Sequence, residues 1–556
     1  MRRVIRGQEP AVITGTAEQQ RAWIARFVLP AMVLVLLISN AWLSHSYGHS
    51  RMMYDNPIYR WRESIAIALS RMRDKPLHGY LAYRSIQSYL AQHGLGLISG
   101  EADPLPTGTQ LRELIYDPAR LEKLFQDAAK TPIDETLPPA TIAGNEKGLV
   151  DYYYWAFGLF GINLMALWLL YFVLLSISAI LFLVTFRQSP FAMYLLIVYL
   201  IGHLFMVGYA NQGTIQTIHN SRFFPTLSFL PMMHLMLLML QRVRPSPGVI
   251  IAAAAQAFIL LFVIFCRLEA LWEALALFAS VVLVIKFRFV VAAVNRPKLR
   301  GQITRALARS TWPIIVFAVG FLGFLLYFSF ALDLSVYRTE TKTHPFWHPL
   351  FSGMVSASPQ LMELYSNGEE GYSDGIVYMA VRADLRRRNE SSSEIAYIHN
   401  GAIEINIMRS MGEYDRLVRR LFFEVLLEHP WLVLKSFVYD KPRDQLIIFW
   451  WAHLYDPGRY WAIVLLGLAA AVLYLATGAS GPARRDIRSA MPVIGIVFAF
   501  SLLPTIVVPS PLIVDSILFY LMVLLIAVTL LPTTALLRWW KQGIAEKSAK
   551  SKYLTR

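Results

Sequence analysis

The sequence predicts an all-α polytopic membrane protein: about ten transmembrane helices, with two long outer-face loops that themselves contain helices. Two observations lead to that class. Apolar stretches recur along the 556 residues, most of them near the ~20 residues a helix needs to cross a bilayer. Lys and Arg collect in the short connections and in the tails, the pattern of segments retained in the cytoplasm.

The elements follow in order. Residues 1–26 form a basic N-terminal tail, and 27–45 the first span. The length of the tail and the lack of a small-residue cleavage site mark this span as a retained anchor rather than a signal peptide. Residues 46–151 form the first polar loop. A bundle at 152–332 holds spans near 152–185, 190–208, 223–241, 246–265, 268–285 and 310–332. The stretch 268–285 is the least regular, with Glu269 and Glu273 in its first turn and only Cys266 and Arg267 before it. It reads as one arm of a tight hairpin or as a partly re-entrant segment. A second polar loop runs from 333 to 459 and is mostly helical. Spans near 460–478, 490–508 and 516–537 follow, and 538–556 is a basic tail.

Charge orients the chain. The tails and the short basic turns hold 24 of the 52 Lys and Arg residues but only 4 of the 37 acids, leaving 28 and 33 for everything else. That asymmetry predicts both termini in the cytoplasm and both long loops outside, periplasmic for a bacterial inner membrane. A pI near 9.7 is one footprint of nucleic-acid binding. Here the charges lie in juxtamembrane segments, where orientation and anionic lipid headgroups account for them, so no nucleic-acid partner is expected. The single cysteine, Cys266, excludes an intrachain disulfide. No zinc-spaced Cys/His cluster, phosphate-binding GxxxxGK[ST] loop or G-x-S-x-G elbow is present, which disfavours ATP-driven pumping by this chain.

Ion-coupled transport needs ionisable groups at membrane depth. The spans carry only Glu269, Glu273, His45, His203 and His234, and the last two read as helix-packing or interfacial residues. Chemistry is therefore expected in the outer loops or at their membrane edge.

The first loop opens with Tyr54-Asp55-Asn56-Pro57-Ile58-Tyr59. Asn56 and Pro57 suit the cap and first turn of a helix whose positive end Asp55 would favour. Ile58, Trp61, Ile65, Leu69 and Met72 then recur at helical spacing, predicting an amphipathic helix along the interface. A further helix is expected near 109–129. The loop closes on Tyr152-Tyr153-Tyr154-Trp155, which reads as an interfacial aromatic belt. Arg222, the one formal charge of the short outer segment 211–222, is either a membrane-end anchor or a phosphate ligand.

The second loop begins His344-Pro345-Phe346-Trp347-His348-Pro349. Histidines four apart can share a helix face and bind metal. Pro345 and Pro349 argue against a regular helix, and no third ligand is near, so no metal ligand is assigned. His344, Trp347 and His348 are instead candidates for gripping an acceptor, against a plain packing role. The turn-rich stretch Asn367–Gly375 reads as solvated. From about 392 to 440 the loop is expected to be helical, with Leu417, Leu421, Val425 and Leu426 as the stripe that returns it to the membrane surface. Lys441 and Arg443, beside Phe449-Trp450-Trp451, would clamp a phosphate headgroup or serve as interfacial anchors.

An acid shortly after the first span, Asp55, followed by juxtamembrane helices and a long outer loop, resembles the GT-C class of membrane glycosyltransferases. The resemblance is topological over residues 1–190. It implies sugar transfer from a polyprenyl-phosphate donor to a glycan, lipid or protein acceptor of the cell envelope. Asp55 would be the catalytic acid/base, with Glu63 as the next acid, and Arg222, Lys441 and Arg443 would hold the donor phosphate. No cofactor is implied with certainty, and a divalent metal is left open. The chain departs from the class in having no adjacent acidic pair and no C-terminal outer domain. The competing expectations are a transporter or polymerase of lipid-linked saccharides, and a non-catalytic envelope protein.

Overall fold

The computed structural model describes residues 27–51, 147–163, 165–210, 223–267, 270–285, 300–331, 347–366, 373–388, 396–399, 402–405, 411–443, 493–504 and 518–527, with Trp23 and a few positions between 89 and 132. Its described residues are overwhelmingly helical and form two separate buried cores.

The larger core is built by α1 (Leu29–Arg51), α2 (Lys147–Phe160), α3 (Met165–Phe186), α4 (Pro190–Ala210), α5 (Pro225–Leu240), α6 (Pro247–Cys266), α7 (Leu271–Ile285) and α8 (Arg300–Ala331). The apolar helix Leu518–Ala527 and residues of 493–497 pack against them. Among the described residues, three helical stretches are long and apolar enough to cross a membrane: Met165–Phe186, Pro247–Cys266 and Ser310–Phe330. Shorter apolar helices coincide with five more of the expected spans, at Leu29–Leu43, Phe191–Val207, Pro225–Leu240, Leu271–Leu283 and Leu518–Ala527. The expected span at 460–478 lies outside the described residues. Pro190, Pro225 and Pro247 each open a helix at a position where no backbone donor is missed.

The expected span 152–185 is two helices. Gly161 adopts φ +85°, a left-handed conformation that stops α2. Asn163 Oδ1 then accepts from the Ala166 backbone N–H at 2.8 Å and starts α3. The run is longer than one span needs, and the break falls at its Gly161-Ile162-Asn163 step. Two of the three tyrosines on α2 are also not part of an interfacial belt. Tyr152 and Tyr153 are buried, the Tyr152 hydroxyl donates to the Leu167 carbonyl, and Trp155 stacks on Phe262 at 4.7 Å. Gly148 brings α2 so close to α6 that a Cβ there would lie 2.6 Å from the Phe265 carbonyl carbon.

The smaller core belongs to the segment after α8. It comprises α9 (Trp347–Ala357), α10 (Pro359–Ser366), α11 (Ser373–Arg387), α12 (Met411–Glu428) and α13 (Pro430–Lys435), followed by a π-helical turn, Ser436–Asp440. Two strands interrupt the helicity expected from 392 to 440: β1 (Ala396–His399) and β2 (Ala402–Ile405) pair antiparallel, with Ala396 opposite Ile405. Pro349 does not prevent a helix, because it falls in the first turn of α9. Leu417, Leu421 and Val425 point into this core with Phe351 and Val377, so they are not the face that meets a membrane.

Candidate functional site

Polar side chains are scarce between the helices, and those that are buried form connected groups. Asn40 on α1 donates through Nδ2 to the Leu36 and Leu200 carbonyls at 2.8 and 3.1 Å. Its Oδ1 therefore faces His203 Nδ1 on α4, 2.7 Å away, and that nitrogen carries the proton. His203 Nε2 lies 2.6 Å from the Tyr171 hydroxyl of α3, which lies 2.8 Å from Thr226 Oγ1 on α5. Tyr199 donates to the Thr226 carbonyl at 2.7 Å. Four helices are thus tied together by one chain of hydrogen bonds through buried groups.

A second group joins α3, α5 and α6. Ser178 donates to Gln256 Oε1 at 2.7 Å, and Gln256 Nε2 reaches the Ser178 carbonyl at 2.8 Å and His234 Nδ1 at 3.2 Å. His234 accordingly carries its proton on Nε2. Its ring meets Phe182 and Phe186 edge-on at 5.6 and 5.0 Å. Both histidines are fully buried in these networks.

Among the described residues, the buried charged groups of the bundle gather at one end. Asp151 on α2, Arg267 in the α6–α7 turn and Glu273 on α7 are all buried, and Tyr327 of α8 donates to Asp151 Oδ1 at 3.2 Å. The close approach at Gly148 brings α2 and the α6–α7 turn to the same end. Asn40, Tyr171, Thr226, Asp151 and Arg267 were not singled out from sequence. Their only advance signal is polarity inside or beside an apolar run.

In the smaller core, Asp384 is the main electrostatic centre. It accepts from Arg387 at 2.8 Å, Arg388 at 2.9 Å and Arg420 at 2.6 Å, and Arg387 and Arg388 also reach Glu424. Burial alone would raise its carboxyl, but hydrogen bonds from the three guanidinium groups outweigh that and hold it below the usual carboxylate range.

Among the residues expected to form a site, Asp55, Glu63, Arg222 and His344 lie outside the described residues. Trp347, His348, Lys441 and Arg443 are described. The Trp347 backbone N–H donates to Asp415 Oδ1 at 3.0 Å, and His348 Nδ1 pairs with the Tyr414 hydroxyl. The Trp347 ring packs on Phe422 at 5.3 Å, Phe422 lies 6.5 Å from Phe437, and the Lys441 ammonium sits 4.9 Å over Phe437. One aromatic row therefore links a proposed acceptor residue to a proposed phosphate ligand. Lys441 is only 2 % exposed, so a headgroup reaches it only if the end of this domain opens; Arg443 is exposed. Burial lowers the Lys441 amine to about 7. Among the described residues no group of three metal-ligating side chains occurs.

No protein-family model matches the chain, and no curated protein or solved structure is similar to it. The class that the fold defines is a helical membrane protein, on the strength of the three long apolar helices among the described residues.

Proposed function

We propose that the chain is an integral membrane glycosyltransferase of the GT-C type, with about ten spans and both termini in the cytoplasm of a bacterium. In this reading it transfers a sugar from a polyprenyl-phosphate donor to a glycan, lipid or protein of the envelope, at the outer face of the inner membrane. The observation that carries it is the gathering of buried charge, Asp151, Arg267 and Glu273, at the end of the bundle that the Lys and Arg distribution turns outward. A helical domain with exposed Arg443 follows the bundle in the chain. Asp55 takes the proton of the acceptor hydroxyl, with Glu63 in support. The acceptor oxygen bonds to the anomeric carbon, and the sugar–phosphate bond breaks with its electron pair leaving on the polyprenyl phosphate. Arg222 and Arg443 steady that phosphate, joined by Lys441 when its surroundings open, and His344, Trp347 and His348 border the acceptor.

The test is D55N and D55A in proteoliposomes scored for turnover of lipid-linked sugar. A general base supplies about 10²–10⁴-fold. A loss of that size is expected, and full turnover by both variants removes Asp55 from the mechanism. One observation favours the second reading, a transporter or polymerase of lipid-linked saccharides: the hydrogen-bonded chain through His203 is a connected polar group between helices. Under that reading H203Q impairs movement or elongation of the saccharide while the Asp55 variants retain it.

A further inference from the structure

The domain after α8 has two apolar faces, and only one is used by its core. On α12 the buried face is Tyr414, Leu417, Val418, Leu421 and Val425. A different set, Phe423, Leu427, Trp431, Leu434 and Val438, steps by four, four, three and four residues through α12, α13 and the π-helical turn. These side chains stand outward: Leu427 is 80 % exposed, Trp431 71 % and Val438 68 %. Scattered exposed apolar residues are ordinary, but an unbroken stripe running across the Pro430 boundary is not.

We infer that this stripe lies on the lipid surface, holding the domain against the outer leaflet of the membrane that the same chain crosses. Three features select lipid as the occupant. The bilayer is within reach, because only residues 332–346 separate the end of α8 from the start of α9, a stretch of at most about 55 Å when fully extended. The charges around the stripe suit anionic headgroups. Arg416 and Arg419 are exposed before it and Arg443 after it, whereas Asp415, Glu424 and Asp440 are engaged with the Trp347 N–H, Arg387/Arg388 and Lys435, leaving Glu428 as the exposed acid. The stripe carries Trp431 with Tyr439 beside it, the residue types that settle at headgroup depth, and the sequence runs on through Leu446-Ile447-Ile448-Phe449-Trp450-Trp451. The surface that meets the bilayer is thus not the stripe expected from sequence, which is spent on the domain's own core. It is the opposite side of the same helices.

The test uses the full chain in phosphatidylethanolamine/phosphatidylglycerol vesicles, with C266A as background and nitroxide labels at L427C, W431C, L434C and V438C. E428C and R386C, exposed on α12 and α11, are the water-side controls. Collision with oxygen, which partitions into lipid, is compared with collision with a water-soluble nickel chelate. The expected oxygen-to-nickel ratio is several-fold higher at the four stripe positions than at the two controls. Nickel-accessible labels at all six positions overturn the inference, because the stripe then faces water. Stripe labels shielded from both reagents overturn it too, because protein then covers that face. The outcome does not depend on the Asp55 assay, so failure here leaves the transferase reading intact.

Discussion

Replacing Asp384 with Asn should loosen the outer domain selectively. The carboxylate side chain is 2 % exposed and is bonded by three guanidinium groups. Removing one partner of a buried, hydrogen-bonded charge costs about 3–5 kcal/mol. Here the arginine side chains are 60, 33 and 33 % exposed, so water re-solvates them in part, and Arg387 and Arg388 keep Glu424. That discount gives about 2–3 kcal/mol, or roughly a 30- to 150-fold fall in amide protection at about 1.4 kcal/mol per decade. Hydrogen exchange of the full-length protein in detergent should show the fall in α11 and α12 and leave α6 unchanged. R387A removes the most exposed arm and should cost under about 1 kcal/mol. The reasoning is refuted if D384N costs no more than R387A, or if α6 loses protection equally. The pH dependence has a definite sign. The folded carboxyl lies below its unfolded value, so its contribution is present above about pH 4 and is lost as pH falls through the folded value.

Lys441 gives a slope of the same sign in a higher pH window. Its folded amine is lowered to about 7, so the unfolded chain binds more protons between about pH 7 and pH 10, and the domain should gain up to about 1.4 kcal/mol per pH unit across that window. K441M should flatten this slope, as read from α12 and α13 exchange between pH 7 and 9. G148A should lower the thermal midpoint in detergent by the equivalent of about 1–3 kcal/mol, because the added methyl would press on backbone atoms of Phe265 and Cys266 at 2.6 and 2.7 Å. N40A, which strands His203 Nδ1, should cost about 1–2 kcal/mol by the same measurement, and a neutral result would show that water replaces the Asn40 contacts.

Much of the bundle was legible in the sequence because lipid imposes a one-dimensional rule. A helix buried on all sides must be apolar along its length, as α3 and α6 are, and charge clusters mark its ends. Prolines 190, 225 and 247 open their helices for an equally local reason. Where hydropathy alone was the guide, it misled. The run 152–185 is predominantly apolar, yet a left-handed Gly161 and the Asn163 cap divide it. Tyr152 and Tyr153 of α2 carry the composition of an interfacial belt but fill the protein interior.

By itself, the sequence determined that this chain is dominated by apolar helices, how its charge is partitioned, and which polar residues are rare enough to notice. Those properties are sums over local positions. The tertiary structure decided which rare polar groups meet: Asn40 with His203 across 163 positions, and Ser178 with Gln256 across 78. It also decided which of two apolar faces of α12 is inside. Helical spacing identifies a face but carries no record of its neighbour, and only packing against α9 and α11 turned Leu421 and Val425 inward while leaving Leu427 and Trp431 outside.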